Sequence, residues 1–234
     1  MTNNSDPIAT YMASLGHRVC PKILLVEGIS DYELLTLAAT LFEDEGKGQL
    51  LHPNLCIIPA GIGDLGGTKG VVRELICLRG LSRACLTPEG RPRYRIAALF
   101  DNDTAGRQGI QAARGFDLSL IECKDLFLLR PVMPTTNNLD PVALQRFVAE
   151  ANLSYKGLDW EIEDYLPSSL IDVFLEEQPN AVSRFSSASD KTHRDFTRDG
   201  KARLLRFVKQ HAIYEDMNAI IELLSAVRCY LGVK

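Results

Sequence analysis

Two apolar runs constrain what this chain can fold into. They are Lys22-Ile-Leu-Leu-Val-Glu-Gly-Ile-Ser-Asp31 and, further along, Arg95-Ile-Ala-Ala-Leu-Phe-Asp-Asn-Asp-Thr-Ala-Gly106. Each is a short uncharged stretch that stops at carboxylates and glycine and then passes into a helical pattern, as a buried parallel strand does when it delivers acidic side chains to one edge of a sheet. Glu27, Asp31, Asp101 and Asp103 are therefore expected to gather at one site. Converging carboxylates repel one another unless cations sit between them, so a divalent-metal site is the first expectation.

The rest of the chain repeats the alternation. Asp6-Pro7 reads as the cap and first residue of a helix with Ile8, Tyr11, Met12 and Leu15 on one face. After the strand 22–27, Ser30-Asp31 is read as capping a helix through Leu34, Leu35, Leu37, Ala38 and Leu41. Leu55 to Ala60 is a second strand, followed by the glycine-rich turn Gly61 to Gly70 and a helix through Val71, Val72, Leu75, Ile76 and Leu78. The third strand ends in the acidic pair, a short helix spans 104–114, and either 118–121 or 126–129 supplies a fourth strand. Strand and helix alternating four times predict an α/β fold, a mostly parallel four-stranded sheet with helices on both faces.

Residues 131–138 break the alternation, so the chain divides into a core over 1–130 and a mainly helical extension over 131–234. In the extension a helix is capped by Asp140-Pro141, another lies near 168–177, a polar loop covers 178–200, and amphipathic helices follow at about 201–211 and 215–231. Those last helices could pack on the core or pair between subunits as a homodimer.

A net charge of −4 is not the footprint of a passive nucleic-acid binder, so an acidic protein that handles phosphates needs metal ions or a local basic patch. The one strongly basic segment, Lys191 to Lys209, places Arg203, Arg206 and Lys209 near one helix face. Asp190, Asp195 and Asp199 interrupt it, and a solvated helix face is the competing reading. The six cysteines show no Cys-x-x-Cys spacing and read as buried thiols, and the four histidines form no metal-ligand spacing. No apolar stretch is long enough to span a membrane and the first residues lack signal-peptide character, so the expected location is cytoplasmic, without membrane contact.

Residues two apart in extended chain project to the same side, so Asp101 and Asp103 can serve one site while Asn102 points elsewhere. Glycine after Glu27 lets backbone and ligand approach closely. Val26-Glu27-Gly28-Ile-Ser-Asp31 and Leu99-Phe-Asp101-Asn-Asp103-Thr-Ala-Gly106 resemble the glutamate and Asp-x-Asp motifs of the Toprim domain, shared by topoisomerases, bacterial primases, ribosomal-RNA maturases and nucleases of the OLD family. The spelling Glu-Gly-x-Ser-Asp is most similar to the OLD-type nucleases and related effectors of bacterial anti-phage systems. The resemblance covers roughly residues 20–130.

That resemblance implies phosphodiester chemistry on DNA or RNA with Mg²⁺ or Mn²⁺, two ions in all. Asp101 and Asp103 would be metal ligands, Glu27 a ligand or the general acid/base, and Asp31 a ligand to a second ion. OLD-type members also carry a later glutamate and lysine, for which Glu163 and Lys201 are the candidates. The stretch Gly61-x-Gly63-x-x-Gly66 matches a dinucleotide fingerprint literally, yet no acidic residue closes a following strand at the right distance. A turn whose backbone N–H groups face phosphate explains Gly61 and Gly63 equally well, with Gly28 beside them. Gly66-Gly67-Thr68 lacks the lysine of a Walker A loop, so any ATP would be bound by a separate ATPase partner. Two rival readings stand beside the nuclease: a catalytically silent binding or regulatory subunit, and a nucleotide-binding protein built on the Gly61 loop.

Overall fold

The run Ile23-Leu-Leu-Val26 is apolar at odd and even positions alike, which only a strand covered on both faces can bury. The computed structural model, which describes residues 6–61 and 66–233, places this strand, β1 (Lys22–Val26), inside an all-parallel sheet. The sheet order is β2-β1-β3-β4, with β2 Leu55–Pro59, β3 Arg95–Phe100 and β4 Leu126–Leu128. Leu24 pairs in register with Ile57 on one side and Ala97 on the other. The fold class is therefore the expected α/β one, and the fourth strand is the 126–128 alternative.

Side-chain alternation sorts the core into two layers. Ile23, Leu25, Ile58, Ala98 and Phe100 face α1 (Pro7–Ser14), α3 (Gly67–Ser82) and α4 (Thr104–Phe116), through Ile8, Met12, Val71, Leu75 and Ile110. Leu24, Val26, Ile57, Ala97 and Leu99 face α2 (Ile29–Asp44) and the extension, reaching Leu34, Trp160, Phe174, Leu224 and Tyr230. The core thus runs unbroken across residue 130, and residues after it form the outer half of one layer.

The extension comprises α5 (Pro141–Ala151), α6 (Ser168–Glu177), the strands β5 (Val182–Ala188) and β6 (Lys191–Phe196), α7 (Arg198–His211) and α8 (Asn218–Tyr230). Asp6 and Asp140 cap α1 and α5 ahead of a proline, as read from sequence.

Three local expectations are corrected. The stretch 178–200 is not a polar loop throughout: β5 and β6 pair antiparallel, with Ser189 at φ 54° in their turn. The ribbon escapes periodicity because β5 is largely exposed and only His193 and Phe196 of β6 are buried. Helix α2 starts earlier than Ser30-Asp31: its N-cap is Gly28, and Asp31, three residues in, accepts the Gly28 N–H at 2.9 Å. Cys77 lies exposed on the outer side of α3, whereas Cys20, Cys56 and Cys85 are buried thiols, and all six cysteines are free. Among the described residues no helix is long and apolar enough to cross a membrane.

Candidate functional site

Parallel strands end on the same edge, and here β1 and β3 release Glu27 and Asp101 side by side: the Asp101 N–H donates to Glu27 Oε1 at 3.1 Å. The other Glu27 oxygen accepts the Thr68 hydroxyl at 2.7 Å, from the first turn of α3. Thr68 was not among the sequence candidates. Its signal was its place straight after the glycine-rich turn that follows β2. Asp31 is buried at the start of α2. Asp103 is the N-cap of α4, its Oδ1 accepting the Gly106 N–H at 2.6 Å.

Asn102, between the two aspartates, turns away as expected. Its amide donates to Leu158 O at 3.1 Å, and its backbone exchanges hydrogen bonds with Trp160 at 2.8 and 3.2 Å. This isolated bridge matters for the site, because it carries the segment after Trp160 to the strand ends. The 3-10 turn at Ile162–Tyr165 then supplies Glu163, with Glu161 at its N-cap. Helix α7 reaches in from the far side, and the Lys201 ammonium lies 2.8 Å from Glu161 Oε2 and 3.5 Å from Glu163 Oε2. Lys201 is thus no freely solvated first-turn lysine. Glu161 is a site residue that sequence reasoning passed over, although Glu161-Ile-Glu163 repeats the two-apart spacing of Asp101 and Asp103.

The turn itself is pinned by Asp164. Its carboxylate accepts from the Glu161 N–H at 2.8 Å, the Arg194 N–H at 3.0 Å and His193 Nδ1 at 2.7 Å. The β5–β6 ribbon therefore serves to clamp the Glu161–Glu163 turn. Burial pulls the His193 pKa down, but the adjoining Asp164 carboxylate outweighs it and the net shift is upward.

Five carboxyl groups, Glu27, Asp31, Asp101, Glu161 and Glu163, act on one ammonium here, with Asp103 beside Glu27, and the electrostatics show the imbalance. Burial, then the charges of Asp31 and Glu27, lift the Asp101 pKa well above the ordinary value. Burial likewise raises Glu27, Glu161 and Glu163. Asp31 is raised to about 6, by burial first, with Glu27 and Glu161 adding to it and the Gly28 N–H and Lys201 opposing. Lys201 is raised, the negative charges of Glu163, Glu161 and Asp101 overcoming its burial. Glu163 Oε1 is buried without a hydrogen-bond donor among the described residues, and Glu163 Oε2 has only the Lys201 ammonium, at 3.5 Å. Buried acceptors that lack donors, and carboxyls made reluctant to ionise by one another, are what a divalent cation relieves.

The donor chemistry fits Mg²⁺ or Mn²⁺. As the side chains stand, no group of three or more His, Cys, Asp or Glu side chains among the described residues is arranged to hold an ion. The reason is local: Glu27, Asp31 and Asp103 are turned onto internal donors, and Glu161 and Glu163 onto Lys201. Cation binding would require some of these side chains to rotate.

The shift at Asp31 fixes a pH dependence. A carboxyl raised from 3.8 to about 6 adds stability that is complete below pH 4 and is lost as pH climbs through 6, roughly 3 kcal/mol in all. Asp31→Asn keeps an oxygen for the Gly28 N–H and removes the titration. In EDTA, the stability of the native protein relative to Asp31→Asn is expected to fall between pH 4 and 8 in urea denaturation. A constant difference across that range would show that Asp31 ionises freely.

Of the glycines, Gly28 caps α2 beside Glu27, and Gly61 follows β2 with φ 84°. Gly63 lies outside the described residues. The Gly67 N–H donates to Glu27 O at 2.9 Å, which ties the end of this turn to the acidic edge. The basic face of α7 is internally engaged: Arg203 pairs with Asp199 and Gln178, and Lys209 with Glu33. The solvated-face reading suits it better than a nucleic-acid track. Compared with protein-family models, with curated proteins and with solved structures, the chain matches none, so its likeness to the Toprim family rests on the motif residues themselves.

Proposed function

We propose that this chain is a divalent-metal-dependent nuclease that hydrolyses phosphodiester bonds of DNA or RNA at the carboxyl edge of its parallel sheet. The observation that carries the reading is the convergence of Glu27, Asp31, Asp101, Glu161 and Glu163 on Lys201, with Asp103 acting on Glu27, from four separate stretches of the chain. A structural salt bridge needs no such excess of acid.

Asp31, Asp101, Asp103 and Glu163, with Glu27 at their edge, would hold Mg²⁺ or Mn²⁺. When bound, two such ions activate water and neutralise charge on a scissile phosphate. The chain's own residues do the rest. Lys201, kept protonated by its acidic neighbours, offers a positive charge to a phosphate oxygen. Glu27, held by Thr68 and the Asp101 N–H, would accept a proton from the attacking water. By the resemblance to OLD-type nucleases, the chain works with a separate ATPase as the effector of a bacterial anti-phage system.

The internal hydrogen bonding of the carboxylates favours a second reading, a catalytically silent subunit that docks a partner through this fold. Incubation of the pure protein with plasmid DNA and with total bacterial RNA, in Mg²⁺, Mn²⁺ or EDTA, separates the two. The nuclease reading expects metal-dependent cutting of at least one substrate, reduced on the order of 10²-fold in Lys201→Ala. Cutting that persists in EDTA, or that is untouched by Lys201→Ala, would refute the proposed chemistry.

A further inference from the structure

A cavity lined by none of the carboxylate-cluster residues has a volume of about 350 Å³ and lies between the end of β4, α5 and α8. That is within the usual size range of small-molecule sites. Its apolar wall includes Phe127, Met133, Leu144, Val148 and Tyr230, with the Phe127 and Tyr230 rings stacked at 5.5 Å.

The walls are fixed by satisfied hydrogen bonds. Asn152 accepts the Val132 N–H at 3.0 Å and donates to Val132 O and Val148 O at 2.7 and 2.8 Å, which staples the segment after β4 to the end of α5. Tyr230 donates to Pro134 O at 2.7 Å, and Tyr165 donates to Arg130 O. The cavity is therefore preformed.

Against this apolar wall lies a cation that pairs with no described residue. Arg130 lines the cavity half-buried, and among the described residues its guanidinium has neither a hydrogen-bond acceptor nor an ion-pair partner. Glu122 lines the same cavity but acts on it only beyond ion-pair distance, and burial holds the Arg130 pKa below its ordinary value. A half-buried guanidinium normally finds a carboxylate or phosphate, which it binds through two parallel hydrogen bonds. Lys156, exposed at the rim, adds a second positive charge.

We infer that this cavity binds a small anion whose head, a carboxylate or a phosphate, pairs with Arg130 and whose apolar body packs against Phe127, Met133 and Val148. The site is independent of the nuclease reading and stands or falls without it.

Fluorescence titration with anilinonaphthalene sulfonate, an anionic head on an aromatic body, tests it. The full chain is expected to bind one probe saturably, with affinity reduced about tenfold or more in Arg130→Met. Affinity should be unchanged in Phe116→Ser, which alters the separate apolar groove between α3 and α4. Displacement by octanoate identifies a carboxylate head, and displacement by phenyl phosphate a phosphate head. Because Arg130 pairs with no described residue, Arg130→Met should melt at the same temperature as the native protein or higher. The inference is overturned by absence of saturable binding, by equal affinity in Arg130→Met, by loss confined to Phe116→Ser, or by a lowered melting temperature in Arg130→Met.

Discussion

Asp101→Asn should lower nucleic-acid cleavage on the order of 10³-fold while raising the melting temperature of the metal-free protein. Both halves follow from the same crowding. Asp101 lies where burial, Asp31 and Glu27 all oppose its ionisation, so replacing the carboxyl by an uncharged amide of nearly the same shape relieves repulsion in the fold. The same replacement removes a ligand from the cation site. Glu27→Gln should behave alike, since glutamine keeps an acceptor for either Thr68 or the Asp101 N–H. Cleavage is followed on a labelled substrate and stability by calorimetry in EDTA. A carboxylate with only a structural role would give the reverse pattern: activity tracking stability, with both falling in Asp101→Asn.

Gly106→Ala should cost on the order of 4 kcal/mol, an unusually large loss for one methyl group. A Cβ on Gly106 would lie 1.9 Å from the carbonyl oxygen of Asp101, an atom of backbone that cannot swing aside. The change also strikes the site, because the Gly106 N–H holds Asp103. Gly115→Ala supplies the contrast within the same helix. It has nothing within 4 Å of a new Cβ, and alanine there should stabilise by about 0.5–1 kcal/mol through its better helix propensity. Urea denaturation of both variants decides the matter. Equal effects of the two substitutions would show that α4 shifts freely away from the end of β3.

These two glycines mark how far the sequence could be read. A glycine three residues after Asp103 was legible as part of a strand-to-helix motif, but its reason, the carbonyl of Asp101 pressing on it, is a contact of the folded chain. The parallel sheet was legible because Ile23 to Val26 and Ile96 to Phe100 are apolar without alternation, and only a doubly covered strand tolerates that. The carboxylates at their ends followed directly. Glu161 was not legible in the same way, because it arrives through the backbone bridge between Asn102 and Trp160, residues far apart in sequence. Nor was the β5–β6 ribbon, whose strands carry Ser183, Arg184, Ser186 and Ser187 outward and bury too little to leave a period of two. Its role in clamping Asp164 through His193 and the Arg194 N–H depends wholly on tertiary packing.

If the acidic cluster is a cation site, it binds Mn²⁺ directly, without substrate or partner. Calorimetric titration of the full chain with Mn²⁺ at pH 7.5 should show saturable binding that is lost in the combined Glu27→Gln and Asp101→Asn variant, with Mn²⁺ raising the melting temperature of the native protein alone. Absence of saturable binding, or equal binding by the double variant, would show that the acidic cluster is no cation site but a purely structural network around Lys201.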